Sequence, residues 1–354
     1  MMTDTGSIRL IYDFSREELE QEVLSWGEPK YRTRQIWQGL YKEFYSSADE
    51  FSTLPLRLRQ VLSERFSFHN LLLTQSLVSR EGETQKTLFT LPDGQGIETV
   101  LMQYRERRTL CISTQAGCAM GCVFCATGQM GYRRNLTSGE IIEQVIYFAR
   151  RLSAINEKIS NVVVMGMGEP FHNYEGTLKA IDRLSDLEGF ALGARRFTIS
   201  TVGLIPGIKR FTQEHRQVNL AISLHAAEDD LRSSLLPMNR KYPLKEIIQA
   251  CVDYVEATRR RITFEWALIQ GVNDSVDQAK KLAHLLRPLV QNGVALCHVN
   301  VIPLNPTRRY SGKATTHIQA EAFKQTLKSY GIPCTVRIRR GIEIQAGCGQ
   351  LATE

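Results

Sequence analysis

The feature that most constrains the fold is an alternation of short strand-like and longer helix-like segments from Arg108 onward. Segments rich in β-branched residues predict seven strands, RTLCIST, ISNVVVMG, RFTIST, QVNLAISL, ITFEWALI, CHVNVIP and CTVRIR. The intervening segments carry apolar residues at helical spacing and include TSGEIIEQVIYFARRL, YEGTLKAIDRLSDL, PLKEIIQACVDYVEAT, SVDQAKKLAHLLRPLV and HIQAEAFKQTLKSYG. Such alternation favours successive βα units, and six units make about three quarters of an eight-unit barrel. We therefore predict an α/β fold with a partial, TIM-like (β/α)6 barrel.

Two other patterns precede the barrel. Residues 14 to 66 read as short helices, and Ser15 with Glu18 forms a capping-box pattern. The segment KYRTRQIWQGLYKEF interleaves basic and aromatic side chains, which suits RNA but also fits an ordinary amphipathic helix. From about Leu71, strand-like segments follow one another with turn sequences such as PDGQ. We therefore predict a helical RNA-binding accessory domain over 1–70, a β-strand extension over 71–108 and a barrel domain over 109–354.

One acidic residue of the strand extension stands out. By strand alternation, Glu98 shares a face with the apolar residues Val100 and Met102. An acid in such a place is most often exposed at a sheet edge. The alternative is that it takes part in the reaction of the protein. The sequence leaves both interpretations open.

Composition narrows the class of protein and its partners. The chain of 354 residues is 43% hydrophobic and 23% charged, as in soluble globular proteins. No segment approaches the ~20 apolar residues of a membrane-spanning helix, and the start, MMTDTGSIRLIYDF, lacks the pattern of a signal peptide. We therefore expect a cytoplasmic protein, in which eight cysteines suit metal binding or catalysis better than disulfides. The net charge of +7 fits a polyanionic partner such as RNA.

Residues suited to chemistry follow the predicted strands. In parallel α/β barrels the C-terminal ends of the strands lie on one face, where active sites are built. The residues at those ends are Cys118, Cys122, Cys125, Gly168, Glu169, Ser200, Ser223, His225, Asn305 and Cys348. We therefore expect residues more than 200 positions apart to meet at one mouth.

Three cysteines after the first barrel strand have the spacing C-x3-C-x2-C, namely Cys118, Cys122 and Cys125. A zinc site of three cysteines and a histidine cannot form locally, because no histidine occurs between His69 and His172. Cys111 could complete four thiolates, although it lies within a strand pattern. A [4Fe–4S] cube bound by three cysteines would keep one iron open for a substrate. These alternatives remain open at this point.

The cysteine pattern resembles that of the radical S-adenosylmethionine (SAM) enzymes. In that superfamily three cysteines ligate a [4Fe–4S] cluster whose open iron binds SAM. The segment GMGEP, residues 166–170, is similar to the superfamily's SAM-contacting motif. Glycines there let the backbone approach a ligand closely, and a carboxylate can hold its ammonium group.

Further motifs resemble a narrower family, the RNA adenine methyltransferases of the RlmN and Cfr type. These motifs, spread between Glu98 and Leu351, are CISTQAGC, CATGQMGYRRNLT, GMGEP, SLHAAEDDLR, LNP and AGCGQL. The resemblance implies a partial (β/α)6 barrel behind a small helical domain. It also implies methylation of adenine carbon 2 in 23S rRNA at the peptidyl transferase centre, and in the anticodon loop of some tRNAs.

The same resemblance implies roles for individual residues. Cys348 would accept a methyl group from one SAM, and a second SAM would yield a 5′-deoxyadenosyl radical that activates this methyl group for addition to adenine. Glu98 would accept a proton, and Cys111 would release the product through a transient disulfide with Cys348. One [4Fe–4S] cluster would be held by Cys118, Cys122 and Cys125. The implied SAM contacts are Gly168, Glu169, Ser200, Ser223, Leu224, His225 and Asn305.

Two rival functions and one further partner complete these expectations. A Cfr-type enzyme would use the same cysteines at adenine carbon 8, but Pro170 and the run VIPLNP look more like the carbon-2 enzymes. A zinc-containing RNA-binding protein without enzymatic activity is the rival from another class. The radical reaction also implies an electron donor such as flavodoxin or ferredoxin.

Overall fold

The computed structural model describes residues 8–291 and 293–353 of the chain. Residues 1–7, part of the segment used to argue against a signal peptide, lie outside the described residues. Within the described residues, no helix is both long enough and apolar enough to cross a membrane.

Short strands are distributed along the whole described chain. In chain order they are β1 (Arg9–Leu10), β2 (Phe66–Ser67), β3 (Leu72–Val78), β4 (Thr84–Thr90), β5 (Gly96–Gln103), β6 (Arg108–Cys111), β7 (Gln115–Gly117), β8 (Tyr132–Asn135), β9 (Asn161–Val164), β10 (Phe197–Thr201), β11 (Asn219–Ser223), β12 (Ile262–Leu268), β13 (Val290–Gln291), β14 (Val294–Ala295), β15 (Cys297–Pro303) and β16 (Cys334–Val336). The α-helices are α1 (Arg16–Ser25), α2 (Tyr31–Tyr41), α3 (Leu56–Arg65), α4 (Ala126–Met130), α5 (Ser138–Ser153), α6 (Tyr174–Ser185), α7 (Ile205–Gln213), α8 (Asp229–Leu235), α9 (Leu244–Thr258), α10 (Val276–Leu285) and α11 (His317–Ser329).

The predicted parallel sheet is confirmed. Its strands follow chain order, β6-β9-β10-β11-β12-β15-β16, and each neighbouring pair is parallel. Helices α5, α6, α7, α9, α10 and α11 form the six crossovers between them. A strand order that never reverses, with a helix at every crossover, is the topology of a barrel rather than of a doubly wound sheet. All seven predicted strands are present, whereas α7 was not predicted because it is short and contains Pro206 and Gly207.

The predicted strand extension continues this sheet. Strands β3, β4 and β5 pair antiparallel with one another, and β5 pairs antiparallel with β6. Strand β5 is therefore an interior strand, and Glu98 within it is only 3% exposed. The interpretation of Glu98 as an exposed acid at a sheet edge is wrong, because two strands cover the edge where it was expected.

The N-terminal helices pack against the outside of the barrel. The capping box of Ser15 and Glu18 is present at the start of α1. The indole of Trp37 donates a hydrogen bond to Asp186 at 2.8 Å, and Trp37 and Tyr41 belong to the same apolar core as the barrel strands. These two aromatic rings are buried and therefore unavailable for stacking on RNA bases. We keep the division into 1–70, 71–108 and 109–354, and the RNA-binding role of the first part, as a proposal.

Candidate active site

The C-terminal ends of the barrel strands surround a cavity of about 150 Å³, here named the first cavity. Its walls bring together all ten residues predicted at the strand ends: Cys118, Cys122, Cys125, Gly168, Glu169, Ser200, Ser223, His225, Asn305 and Cys348. Residues separated by up to 230 positions thus meet at one mouth, as the parallel topology requires. Leu224 lies next to this group, but its side chain is fully buried in the core rather than on the cavity wall.

The cysteine loop runs from β7 to α4 and forms one wall of the first cavity. Gly117 at its start has φ +71°, and a side chain there would collide with the carbonyl oxygen of Gly131. Within the loop the Cys125 amide donates to the Cys122 carbonyl at 3.1 Å. All three cysteines of the loop line the first cavity.

The chemistry of the three thiols fits a metal–sulfur cluster. Burial raises the pKa of Cys118 to about 12, and it raises the pKa values of Cys122 and Cys125 as well. Thiols of this kind keep their protons until a metal centre displaces them. Among residues 8–291 and 293–353, no group of three His, Cys, Asp or Glu side chains is arranged to hold a metal ion. The three thiols line one cavity, and as a donor set they fit the three protein ligands of an iron–sulfur cluster.

The GMGEP segment forms a second wall. Gly168 has φ +106°, and a side chain there would approach Gln115 atoms at 2.6 to 2.8 Å, so this position requires glycine. The Glu169 carboxylate accepts from the Phe171 amide at 3.0 Å and from the Val202 amide at 2.9 Å. Burial nevertheless raises the pKa of Glu169 to about 7. Burial disfavours the charged form of this carboxylate, and a positive charge beside it would stabilise that form. Glu169 is therefore suited to bind a cationic ligand.

Asn305 and His225 line the first cavity and present polar groups that a ligand could bind. The Asn305 amide nitrogen donates to the Cys348 carbonyl at 3.0 Å, while its buried oxygen Oδ1 has no partner among the described residues. His225 accepts a hydrogen bond at Nδ1 from the Ala267 amide, so its proton resides on Nε2. Burial lowers the pKa of His225 to about 3, which keeps the ring neutral. An unpartnered acceptor and an available donor are features expected of a site that binds a polar molecule.

A buried arginine supports these walls. The Arg232 guanidinium donates to the carbonyls of Leu224 at 3.0 Å, Val202 at 2.6 Å and Ser223 at 3.2 Å, and to the Asn239 side chain at 2.9 Å. It is 1% exposed and joins the ends of β10 and β11 through their carbonyl groups. Arg232 belongs to the SLHAAEDDLR motif, but its supporting role could not be predicted from that motif.

Replacing Arg232 with methionine should destabilise the barrel strongly. The change removes four hydrogen bonds from a buried cluster, among them those to the Val202 carbonyl and the Asn239 side chain, while the Leu224 carbonyl keeps the Ala226 amide as a donor. A buried acceptor that loses its donor costs about 1–3 kcal/mol, so we expect a loss of about 3 kcal/mol. Denaturant unfolding of the purified variant measures this loss. The matched control is Arg240→Met at an exposed position, where we expect a change within about 0.5 kcal/mol. Equal stability of the two variants would contradict the supporting role.

A second cavity of about 300 Å³ adjoins the first. Cys348 lines both cavities, whereas Cys111 lines only the second and the three loop cysteines line only the first. Cys111 lies at the end of β6, where burial and the nearby Cys348 raise its pKa to about 12. The charged residues lining the second cavity are four arginines, Arg107, Arg337, Arg339 and Arg340, and one acid, Glu265.

The segment that carries Cys348, residues 337–353, lies across the barrel mouth and is held there by hydrogen bonds. The Ala126 amide donates to the Gly349 carbonyl at 2.7 Å, and the Thr127 hydroxyl donates to the Leu351 carbonyl at 2.6 Å. The Gln350 side chain binds the Pro306 carbonyl at 3.0 Å. The helix that follows the cysteine loop therefore holds the segment that brings Cys348 to the first cavity.

Glu98 lies under this segment rather than on a cavity wall. Its carboxylate forms an ion pair with Lys86 at 2.8 Å and accepts from the Ala352 amide at 2.9 Å. Burial raises the pKa of Glu98 even though Lys86 opposes the shift. Its role as a proton acceptor stays a prediction.

Comparison with known proteins identifies the family. The model of the Radical SAM superfamily matches residues 112–286, and that of the ribosomal RNA large subunit methyltransferase N-terminal domain matches residues 10–67. A probable dual-specificity RNA methyltransferase RlmN of Chloroflexus aurantiacus is 49% identical, and the match covers 97% of this chain and 93% of the relative. The chain belongs to the RlmN family of radical SAM RNA methyltransferases.

Other relatives of the RlmN family agree in length and fold. Dual-specificity RNA methyltransferase RlmN 1 of Myxococcus xanthus is 48% identical over 99% of this chain and 96% of its own length. The crystal structure of a radical SAM methyltransferase from Sphaerobacter thermophilus superposes with a TM-score of 0.94 and 49% identity, covering 98% of this chain and all of that one. This RlmN-family chain is therefore an RNA-modifying enzyme, and its superfamily implies an iron–sulfur cluster and SAM.

Sequence reasoning missed an acidic residue that lines both cavities, Glu265. Glu265 in β12 lines both cavities, and its Oε1 atom accepts from the Asn300 amide at 3.0 Å. Burial raises the pKa of Glu265. The only sequence signal was an acid in the middle of the apolar strand ITFEWALI.

Proposed function

We propose that this enzyme methylates carbon 2 of a specific adenosine in 23S rRNA, and of an adenosine in the anticodon loop of some tRNAs, with Cys348 as the methyl carrier. The observation that carries the proposal is the position of Cys348 between two cavities that differ in charge, the first lined by acidic residues and the second mainly by arginines. The first cavity contains the cluster cysteines, and the second contains Cys111 and four arginines.

The charges of the two cavities suit different ligands. The charged residues that line the first cavity are Glu169 and Glu265, without a lysine or arginine among the described residues. This favours SAM, which carries both a sulfonium and an ammonium group. The arginines of the second cavity favour the phosphates of RNA. We therefore assign SAM to the first cavity and the target adenosine to the second.

The remaining residues have roles suited to these ligands. Cys118, Cys122 and Cys125 would hold one [4Fe–4S] cluster, and Glu169, Ser200, Ser223, His225 and Asn305 would bind SAM together with the backbone at Gly168 and Leu224. When bound, the cluster and two SAM molecules per turnover supply the methyl group and the carbon radical that an electron-poor ring carbon requires. Cys348 holds the methyl group on its sulfur and joins it to adenine.

Product release is assigned to Cys111. Its thiolate would attack the Cys348 sulfur, so that an S–S bond forms and the bond between Cys348 and the product carbon breaks. The product carbon would keep the electron pair and take up a proton to become the methyl group, and a cellular thiol reductant would return the disulfide to two thiols. Glu98 would accept the proton lost from adenine carbon 2, and the electron lost with it would return to the cluster. Both residues lie near the segment 337–353, which supports their participation in a step at Cys348.

Mapping the modified nucleotide tests the regiochemistry. After reaction of the anaerobically purified enzyme with 23S rRNA fragments and tRNA, we expect mass spectrometry of nucleosides to find 2-methyladenosine. Pro170 and the run VIPLNP support carbon 2 over carbon 8. Finding 8-methyladenosine alone would establish the Cfr-type reaction instead.

Metal analysis tests the cluster. We expect anaerobically purified protein to contain about four iron and four sulfide per chain, as a single cube requires. The variant Cys122→Ala should lose most of this iron, whereas Cys251→Ala, which changes a cysteine of the core, should retain it. One zinc per chain without sulfide would support the zinc-containing RNA-binding protein.

The reaction also needs an electron donor. We propose an acidic flavodoxin or ferredoxin acting in the cytoplasm, where ribosomal RNA and tRNA are found.

A further inference from the structure

A stack of one tyrosine and two arginines stands at the rim of the second cavity. The guanidinium carbon of Arg107 lies 4.2 Å from the centre of the Tyr104 ring, and that of Arg340 lies 4.7 Å from it. Tyr104 and Arg107 belong to the turn between β5 and β6, whereas Arg340 belongs to the segment that carries Cys348. The stack therefore joins two parts of the chain at the entrance to Cys348 and Cys111.

The position of the tyrosine is fixed from the barrel side. Arg108 donates to the Tyr104 carbonyl at 2.6 Å and forms an ion pair with Glu157 at 2.5 Å. The neighbouring Gln103 amide donates to the Glu83 carbonyl at 2.7 Å, and the Glu83 carboxylate pairs with Arg340. The ring is thus held in place before any ligand arrives.

The charge of the stack is only partly balanced. Arg340 pairs with Glu83, but Arg107 has no carboxylate partner in the described part of the chain, and its side chain is exposed. The two guanidinium groups repel each other. The attraction of each group to the ring is only about 0.5–2 kcal/mol, which offsets part of this repulsion. A polyanion would relieve this repulsion and displace counterions when it binds.

We propose that Arg107 and Arg340 form a phosphate clamp that binds the RNA backbone next to the target adenosine, with Tyr104 as the positioning residue that holds the two guanidinium groups. The assignment rests on the proposed function, because it takes the second cavity as the entrance for the target nucleotide. A base stacks on the face of an aromatic ring, whereas two guanidinium groups already lie over the Tyr104 ring within 4.7 Å of its centre. Tyr104 therefore acts on RNA through the arginines.

RNA is a better occupant than an acidic electron donor. The clamp borders the cavity that contains Cys111 and Cys348, whereas the loop cysteines line only the other cavity. A donor protein has to approach the cluster, and the target nucleotide has to approach Cys348. The location of the clamp therefore favours RNA.

Binding of a fluorescent 23S rRNA hairpin to the anaerobic holoenzyme without SAM tests the clamp. We expect Arg107→Ala to raise the Kd about five- to tenfold near 0.1 M salt, and to reduce the slope of log K against log salt by about 0.7–0.9, the loss of one phosphate contact. The matched control is Arg105→Ala, an exposed arginine of the same turn that does not line the cavity, which should leave both quantities nearly unchanged. Equal effects of the two variants would overturn the proposal.

The tyrosine is tested by a conservative pair. Tyr104→Phe keeps the ring and should bind RNA like the parent enzyme, whereas Tyr104→Ala should weaken binding as much as Arg107→Ala. In turnover, Tyr104→Ala should raise KM with kcat nearly unchanged, and intact mass should still detect the methyl group on Cys348. Unchanged RNA affinity in Tyr104→Ala would refute the positioning role.

Two further outcomes separate the clamp from its alternatives. If flavodoxin binding weakens in Arg107→Ala while RNA affinity stays the same, the surface serves the electron donor and the proposal fails. If RNA affinity falls as expected but no methyl group is found on carbon 2, the clamp stands and the proposed regiochemistry fails.

Discussion

Cys348→Ala is expected to reduce RNA methylation by at least about three orders of magnitude, because the proposed mechanism has no route for the methyl group other than the Cys348 sulfur. The variant should keep its fold, since Cys348 is exposed and lies in a segment outside the strands and helices. Its iron and sulfide content should match that of the parent enzyme. Nucleoside mass spectrometry measures the RNA product, and tryptic mapping should find a methyl group on Cys348 only in the parent protein.

Cys334→Ala is the matched control for that variant. Cys334 is half-buried in β16 and lines neither cavity, so its replacement should leave RNA methylation within about twofold of the parent rate. Full methylation by Cys348→Ala would show that the methyl group reaches adenine without a protein carrier.

Cys111→Ala is expected to trap the enzyme on its RNA. Without the Cys111 sulfur no disulfide can form with Cys348, so the bond between Cys348 and the product is not broken. A denaturing gel should then show up to one RNA bound covalently per protein, which the parent enzyme does not accumulate. The pKa of about 12 that burial gives Cys111 predicts slow release, faster at high pH as the thiolate fraction rises.

The double variant Cys111→Ala with Cys348→Ala provides the control. It should form no covalent complex, because the atom that would be joined to RNA is missing. Repeated turnover by Cys111→Ala without any trapped complex would exclude Cys111 from release.

The barrel was predictable because local signals and topology agree. Each parallel strand has its own β-branched run, and a helix at each crossover leaves few arrangements other than strands in chain order. Helix α7 was missed because the signals of Pro206 and Gly207 resemble those of a turn. In the structure Pro206 occupies the first turn of the helix, where its missing amide costs nothing.

Contacts between distant segments were not predictable. The burial of Glu98 depends on Lys86 from the neighbouring strand and on the Ala352 amide, 254 positions away. Likewise, the resemblance to a family supplied the roles of Cys111 and Cys348, but nothing in the spacing indicated that Cys348 lies between two cavities. Pairing across the chain depends on tertiary packing, which sequence patterns do not encode locally.

The way in which residues 337–353 are held has a consequence for the speed of the catalytic cycle. Within the described residues this segment joins no strand ladder. It is attached through the ion pair of Arg340 with Glu83 and through hydrogen bonds to Arg80, Glu98, Ala126, Thr127, Val301, Asn305 and Pro306. Its detachment breaks these contacts but no strand pairing, so that it opens as a separate cooperative unit at a fraction of the global unfolding free energy. Local opening of this kind occurs in microseconds to seconds, whereas reorganisation of a packed barrel would limit each turnover to its slow unfolding rate.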